Sequence, residues 1–267
     1  MTAAVLTNLG LSLGAALVVV LIAFAIGTAT GKHRVVDVFW GLGFAAVAVT
    51  TLVASAGHGS DVRRWLITAL TVVWGVRLAV HIGWRGRGEP EDPRYTALLA
   101  RAKGNRNLYA LRTVYLVQGL SLWFISLPVQ VGQYDPDPLS ATSYAGILVF
   151  AVGLFFEAVG DAQLAAFRSD PANRGTVMDR GLWRYTRHPN YFGDACVWWG
   201  LWLLAADSWP GLATVVCPLL MNWLLLRRTG KPLLEARLAT SRPGYAEYVR
   251  RTSGFFPRPP LRGSSRG

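Results

Sequence analysis

The chain has 267 residues, 52% of them apolar and 16% charged, with a formal net charge of +12. Soluble domains usually give about a quarter of their residues to charge, so the composition speaks against an ordinary soluble fold. Two cysteines and four scattered histidines exclude a disulfide framework and a His-rich metal motif.

The first apolar run, residues 10–28, holds no charged residue, and no Lys or Arg precedes it. It lacks the positive segment of a cleaved secretory signal and reads as a retained helix. Charge-poor runs recur along the chain, and a bilayer crossing takes about 20 apolar residues. The pattern predicts about seven transmembrane helices, over 8–28, 36–56, 63–84, 108–131, 143–163, 190–206 and 209–227. The expected fold class is therefore all-α, a polytopic membrane protein forming one integral-membrane domain over 1–267. With the amino terminus outside, the cytoplasmic segments 29–35, 85–107, 164–189 and 227–267 hold 23 of the 27 Lys and Arg. Arg63 and Arg64 are left to the outer loops. This positive-inside bias puts the carboxyl terminus in the cytoplasm. It explains the basic charge without nucleic acid as a partner, and suits anionic headgroups or a phosphate-bearing ligand. Cys196 and Cys217 fall inside spans and read as small buried hydrophobes. The ending RPPLRGSSRG reads as disordered.

Ionisable groups at membrane depth face a partner or a cavity, because stranding one in hydrocarbon costs roughly 2.5–3.5 kcal/mol. Arg77 and His81 are four residues apart, hence on one helix face, and so are Glu157 and Asp161, with Gln163 nearby. Either the two pairs pin helices together, or they line a polar pocket open to the cytoplasm, and both can hold at once. The loop 84–107 carries two Arg-Gly pairs and then Glu91, Asp92, Arg94 and Tyr95. It reads as a solvated mixed-charge loop, or as one whose glycines let Arg85 and Arg87 approach a phosphate.

The stretch GLWRYTRHPNYFGD, residues 181–194, is the most informative. Pro189 suits the first turn of a helix, and Asn190 and Asp194 then share a face with Tyr191 beside them. A helix start presents unpaired amides and a positive dipole end, and Arg184, Arg187 and His188 stand just before it. That combination suits a phosphate or pyrophosphate group. Trp183, Tyr185 and Tyr191 either pack on a planar ring or anchor at the membrane interface.

With WWG following it, this stretch resembles the C-terminal signature of the steroid 5-alpha-reductase superfamily, which includes sterol C14-reductases and isoprenylcysteine carboxyl methyltransferases. The nearest resemblance is to bacterial steroid-reductase-like proteins of unknown function. The pattern extends to VDVFWG (36–41), WGVRLAVHIGWRGRGEPEDPRY (74–95), GLFFEAVGDAQLAAF (153–167) and the segment 230–257. The resemblance implies an enzyme of the bacterial inner membrane whose C-terminal core, 144–257, binds a cofactor from the cytoplasm. In the reductases the cofactor is NADPH, which delivers hydride to an activated carbon–carbon double bond of a steroid-like, isoprenoid or fatty-acyl lipid drawn from the bilayer. Carried over by motif, Arg184, Arg187, His188, Asn190, Tyr191 and Asp194 would line the cofactor, together with Arg77, Arg87, Glu157, Asp161 and Arg168. Asp37, with Tyr95 or Tyr115 as phenol donor, would polarise the substrate oxygen. The resemblance equally admits a methyltransferase using S-adenosylmethionine. A non-enzymatic membrane protein or transporter is a third reading. Oligomeric state is left open.

Overall fold

The structure, a computed structural model, describes residues 2–228 and 231–261. It is built from helices: α1 (Thr2–Thr30), α2 (Val35–Ala54), α3 (Asp61–Arg85), α4 (Pro93–Leu99), α5 (Arg106–Ala110), α6 (Leu116–Ile125), α7 (Leu127–Gly132), α8 (Ala141–Ser169), α9 (Pro189–Ala205), α10 (Trp209–Ala213), α11 (Val216–Trp223), α12 (Lys231–Ser241) and α13 (Tyr245–Arg251). The protein is thus an all-α, polytopic membrane protein. Among the described residues, six stretches are long and apolar enough to cross a bilayer: Ala3–Thr30, Val35–Ala54, Asp61–Arg85, Arg106–Ile125, Ala141–Ser169 and Trp209–Arg227. The segment expected at 190–206 forms α9, whose 17 residues lie at the lower end of the lengths that cross a bilayer.

Two of the expected spans are interrupted. Between α5 and α6 the chain widens into a π turn over Leu111–Tyr115, and the helix stops at Ser126 before α7. Pro218 has no amide hydrogen to reach Thr214, and there α10 gives way to α11. A second π turn covers Leu224–Arg228.

The chain divides into two compact units, one formed by 1–144 and 201–217, the other by 145–200 and 218–267. In the first unit, α2 and α3 approach backbone to backbone at Gly41 and Gly75. A β-carbon on either would overlap the carbonyl oxygen of the other. Phe44 and Trp74 pack edge to face, 5.5 Å apart, on the same two helices. With no hydrophobic drive between helices in lipid, small residues that permit such contact hold the pair together.

Arg63 and Arg64, expected in an outer loop, are instead buried in the first turn of α3. The Arg63 guanidinium donates to Asp207 Oδ2 (2.9 Å), Ser143 Oγ (3.2 Å) and the carbonyls of Leu204 (2.5 Å) and Pro138 (3.0 Å). Asp207 also accepts from Ser140 and Ser143, at 2.6 and 2.5 Å. Arg64 donates to Ser55 Oγ (2.9 Å) and the Leu52 carbonyl (2.6 Å). The reason is that helix ends at 52–55 and 204–205 leave carbonyls unsatisfied, and an arginine can serve several at once.

In the second unit α8 and α9 run antiparallel through the same glycine device. Gly153 meets Gly193, and Gly200 lies against Phe150 and Gly146. Phe156 and Phe192 close the gap beside them, ring centroids 4.9 Å apart. The turn 170–188 and the start of α9 therefore return to the end where α8 finishes. Of the expected disordered tail, residues 258–261 are docked: Arg258 N–H donates to the Tyr185 carbonyl (3.1 Å) and Leu261 N–H to that of Arg251 (2.9 Å). Residues 262–267 lie outside the described residues.

The glycine contact is testable. A β-carbon at Gly193 would sit 2.5 Å from the Gly153 carbonyl oxygen and 2.7 Å from the Glu157 nitrogen. Gly193→Val is expected to destabilise the detergent-solubilised protein by about 1–3 kcal/mol, as overpacking does. Gly104→Ala, which meets nothing within 4 Å, should leave the melting temperature near wild type. Equal melting of both variants would remove the contact's importance.

Candidate functional site

The turn between α8 and α9 is shaped by residues that leave the backbone little choice. Gly181 has φ +57°, a left-handed conformation that glycine adopts without strain, and the Gln163 side chain packs where a β-carbon would stand. Gln163 Oε1 accepts the next amide, Leu182 N–H, at 2.9 Å. The Trp183 indole N–H donates to the Gly160 carbonyl at 3.0 Å, anchoring the turn to α8. Pro189 then opens α9, as its sequence position implies.

The carboxyl-terminal segment latches onto this motif. Arg187 N–H donates to the Ser253 carbonyl (2.9 Å), and Thr186 Oγ1 to that of Phe255 (2.8 Å), giving a short parallel pairing. The Tyr248 hydroxyl donates to the Trp183 carbonyl. The Arg187 side chain reaches Glu235 Oε1 through Nε (2.9 Å) and the Thr252 and Val249 carbonyls through Nη1, at 2.7 and 3.1 Å. His188 Nε2 meets the same Glu235 oxygen at 2.9 Å, and the His188 ring stacks on Tyr191, 5.2 Å apart and 5° from parallel. Burial opposes ionisation of Glu235, but the bonds from His188 and Arg187 outweigh it and hold the carboxyl down at about 2.

Between the turn and the C-terminal segment lies a cavity of about 160 Å³. Its walls include Phe167, Trp183, Tyr245 and Tyr248, and four arginines: Arg168, Arg174, Arg187 and Arg242. No Asp or Glu lines it among the described residues. The guanidinium groups of Arg174 and Arg242 have no hydrogen-bond or ion-pair partner among the described residues, whereas that of Arg187 is held by Glu235. Tyr245 is buried, 3% exposed. Its hydroxyl sits beside Arg187 without the geometry of a hydrogen bond to it, and burial pushes its phenol up to about 12.

Of the residues expected at a cofactor site, Arg168 and Arg187 line this cavity, and Arg184 lines a neighbouring groove. Glu157, Asp161, His188, Asn190, Tyr191 and Asp194 belong to the α8–α9 pair and the turn entering it, outside the cavity's lining. Glu157 and Asp161 are 2% and 6% exposed, as buried as the sequence pattern implies. Arg77 and Arg87 belong to the first unit, the former half-buried on α3 and the latter exposed beyond its end. Arg174, Arg242, Tyr245 and Glu235 were not foreseen, because no short-range pattern connects 174 with 235–248. The docking of the C-terminal segment brings them together.

In the first unit the polar residues of the 84–107 loop converge on the start of α2. Tyr95 donates to Asp37 Oδ1 at 2.5 Å and Arg94 Nη2 to Asp37 Oδ2 at 2.9 Å, while Gln118 approaches the Tyr95 hydroxyl at 3.4 Å. Burial, and then the Asp37 charge, push the Tyr95 phenol well up, so it stays protonated. Of the two phenols considered, Tyr95 meets Asp37, and Tyr115 pairs with His33 Nδ1 at 2.9 Å. Glu91 fixes the loop by accepting the amides of His33, Arg34 (3.0 Å) and Asp92 (2.8 Å).

Residues 23–252 match the family described as a protein of unknown function, DUF1295. A stretch of 60 residues is 38% identical to a protein named Probable O-methyltransferase ustE, from Ustilaginoidea virens. The stretch is 22% of this chain, and the chain spans only 20% of that relative's length. No solved structure matches the chain.

Glu235 predicts a pH signature. Its carboxyl is depressed from the ordinary 4.5 to about 2, so the stability it contributes is complete above about 4.5 and lost as pH falls toward 2. Glu235→Gln should melt below wild type at pH 7, with the gap closing as the pH of thermal unfolding is lowered through that window. A gap that stays constant to pH 2 would show that ionisation of Glu235 contributes nothing.

Proposed function

The chain belongs to the DUF1295 family, a steroid 5-alpha-reductase-like family, and from that membership we propose that it is a membrane enzyme reducing an activated carbon–carbon double bond of a lipid with NADPH. The observation that carries the choice of cofactor is the cavity lined by Arg168, Arg174, Arg187 and Arg242 without a carboxylate. Arginine forks suit phosphate oxygens, and the guanidinium groups of Arg174 and Arg242, without a partner among the described residues, disfavour a sulfonium cation. The buried Tyr245 hydroxyl, lacking a partner of good geometry, fits a ligand acceptor. At about 160 Å³ the cavity is smaller than the roughly 300 Å³ or more of a drug-sized site, so it would take one phosphate-bearing portion of the nucleotide.

A nicotinamide nucleotide, when bound, supplies the hydride. Arg174 and Arg242 would hold its phosphate through charge-assisted bonds, and Trp183 and Tyr248 would border its planar parts. Hydride addition to an enone leaves negative charge on the carbonyl oxygen, which calls for a fixed donor. The Tyr95 hydroxyl, held by Asp37 and kept protonated by burial, is such a donor once a carbonyl oxygen displaces Asp37 as its acceptor. The methyltransferase reading is supported by the likeness to the protein named Probable O-methyltransferase ustE, and it requires S-adenosylmethionine in place of the nucleotide.

The test separates the two readings. NADPH should raise the melting temperature of the detergent-solubilised protein, by an amount corresponding to about 2.7 kcal/mol at a hundredfold excess over Kd. Arg174→Ala and Arg242→Ala should each weaken NADPH about tenfold to a hundredfold, the worth of a bond to a charged group. Tyr95→Phe should cut NADPH oxidation with an α,β-unsaturated lipid ketone by at least about a hundredfold. Stabilisation by S-adenosylmethionine and not by NADPH would replace this reading with the methyltransferase.

A further inference from the structure

Beside the arginine-lined cavity, and apart from it, a second groove of about 480 Å³ opens on the outer side of the turn. Arg180, Arg184, Arg251, Pro260 and Leu261 line it together with Asp179 and Glu247. The acidic residues do not neutralise it. Asp179 is paired with Arg251 and Glu247 with Arg250. Arg180 and Arg184 are exposed, and among the described residues their guanidinium groups have no partner. Two uncompensated guanidinium groups thus face an opening whose other wall is apolar.

The rim is apolar as well. Leu261 is 71% exposed, and Phe256 (67%) and Tyr185 (43%) stand on the two segments that pair through Thr186 and Ser253. Exposed aromatic and aliphatic groups interleaved with arginines are what the headgroup region of a bilayer accommodates. The position agrees. The groove is built on the segment joining α8, which is long enough to cross the membrane, to α9, so it lies where that helix leaves the hydrocarbon. Most of the chain's basic residues fall in segments assigned to this same side, and the leaflet there attracts basic groups.

We propose that this groove binds the phosphate of an anionic phospholipid from the adjacent leaflet, with Arg180 and Arg184 donating to the phosphodiester oxygens and Pro260 and Leu261 lying along the glycerol and upper acyl chain. A free phosphate would use the two guanidinium groups and leave the apolar wall without a role. The site is independent of the nucleotide pocket, since neither Arg180 nor Arg184 lines that cavity.

The experiment is a thermal-shift titration of the purified full chain in detergent with short-chain phosphatidylglycerol, phosphatidylcholine, inorganic phosphate and NADPH as separate probes. Phosphatidylglycerol should stabilise the protein, while phosphatidylcholine and inorganic phosphate at equal concentration should not. Arg180→Gln with Arg184→Gln should weaken phosphatidylglycerol roughly thirtyfold, from about 1 kcal/mol per basic residue at an anionic surface taken twice. Arg180→Lys with Arg184→Lys should keep most of the effect. Should the double glutamine variant not fold, Arg180→Gln alone is expected to lose about fivefold. Undiminished stabilisation in the glutamine variants overturns the proposal, as does equal protection by inorganic phosphate. A groove filled by nucleotide instead would show as NADPH competing with phosphatidylglycerol, which also overturns it.

Discussion

A single carboxylate organises the second unit. Glu235 takes bonds from Arg187 and His188 together, so the most basic part of the 181–194 stretch is fastened to α12. Removing one member of such a buried, hydrogen-bonded group is costly in a site of low dielectric. Once they are fastened, Arg187 can also serve the carbonyls at the end of α13, and the backbone of 186–187 pairs with 253–255. The cavity exists because these attachments hold the C-terminal segment against the turn. Arg187 is thereby as much a structural residue as a ligand-facing one, and the open guanidinium groups of Arg174 and Arg242 carry the electrostatic invitation.

The same economy of small residues underlies both units. Gly41 with Gly75, and Gly153 with Gly193, let helix backbones touch where larger side chains would force them apart. Close approach brings dispersion and weak carbonyl contacts that matter when lipid is as apolar as the helix itself. It also sets which residues meet at the helix ends. With Gly153 and Gly193 fixing the α8–α9 register, Gly160 falls beside Pro189, and Trp183 can bond the Gly160 carbonyl.

Several polar groups at membrane depth are given work by another element. Arg63 satisfies carbonyls of two other segments and the Asp207 carboxylate, and Ser12 donates to Gln130 at 2.5 Å inside the first unit. Asp37 receives both Tyr95 and Arg94. The first two cases serve the fold. The third combines a carboxylate, a protonated phenol and a cation, which is why it is read as the substrate end.

That the chain is a bundle of apolar helices is legible in its residues alone, because charge-poor runs of crossing length leave the backbone no other way to satisfy its hydrogen bonds. The sequence also marked the helix start within 181–194, since Pro189 suits the first turn of a helix in any context. The resemblance put Asp37 with either Tyr95 or Tyr115, and the hydrogen bond of Asp37 is with Tyr95. Tertiary structure alone decided the rest. The π turn at Leu111–Tyr115 points Tyr115 to His33, and α9 ends after 17 residues. Arg63 turns inward because carbonyls distant in sequence lie within its reach. Arg174 meets Arg242 and Tyr245 in one cavity because a C-terminal segment some 60–70 residues further on folds back across the turn. Local sequence encodes periodicity and turn geometry, but a cavity wall is a long-range coincidence of side chains, fixed only when ion pairs such as Glu235 with Arg187 close the chain on itself.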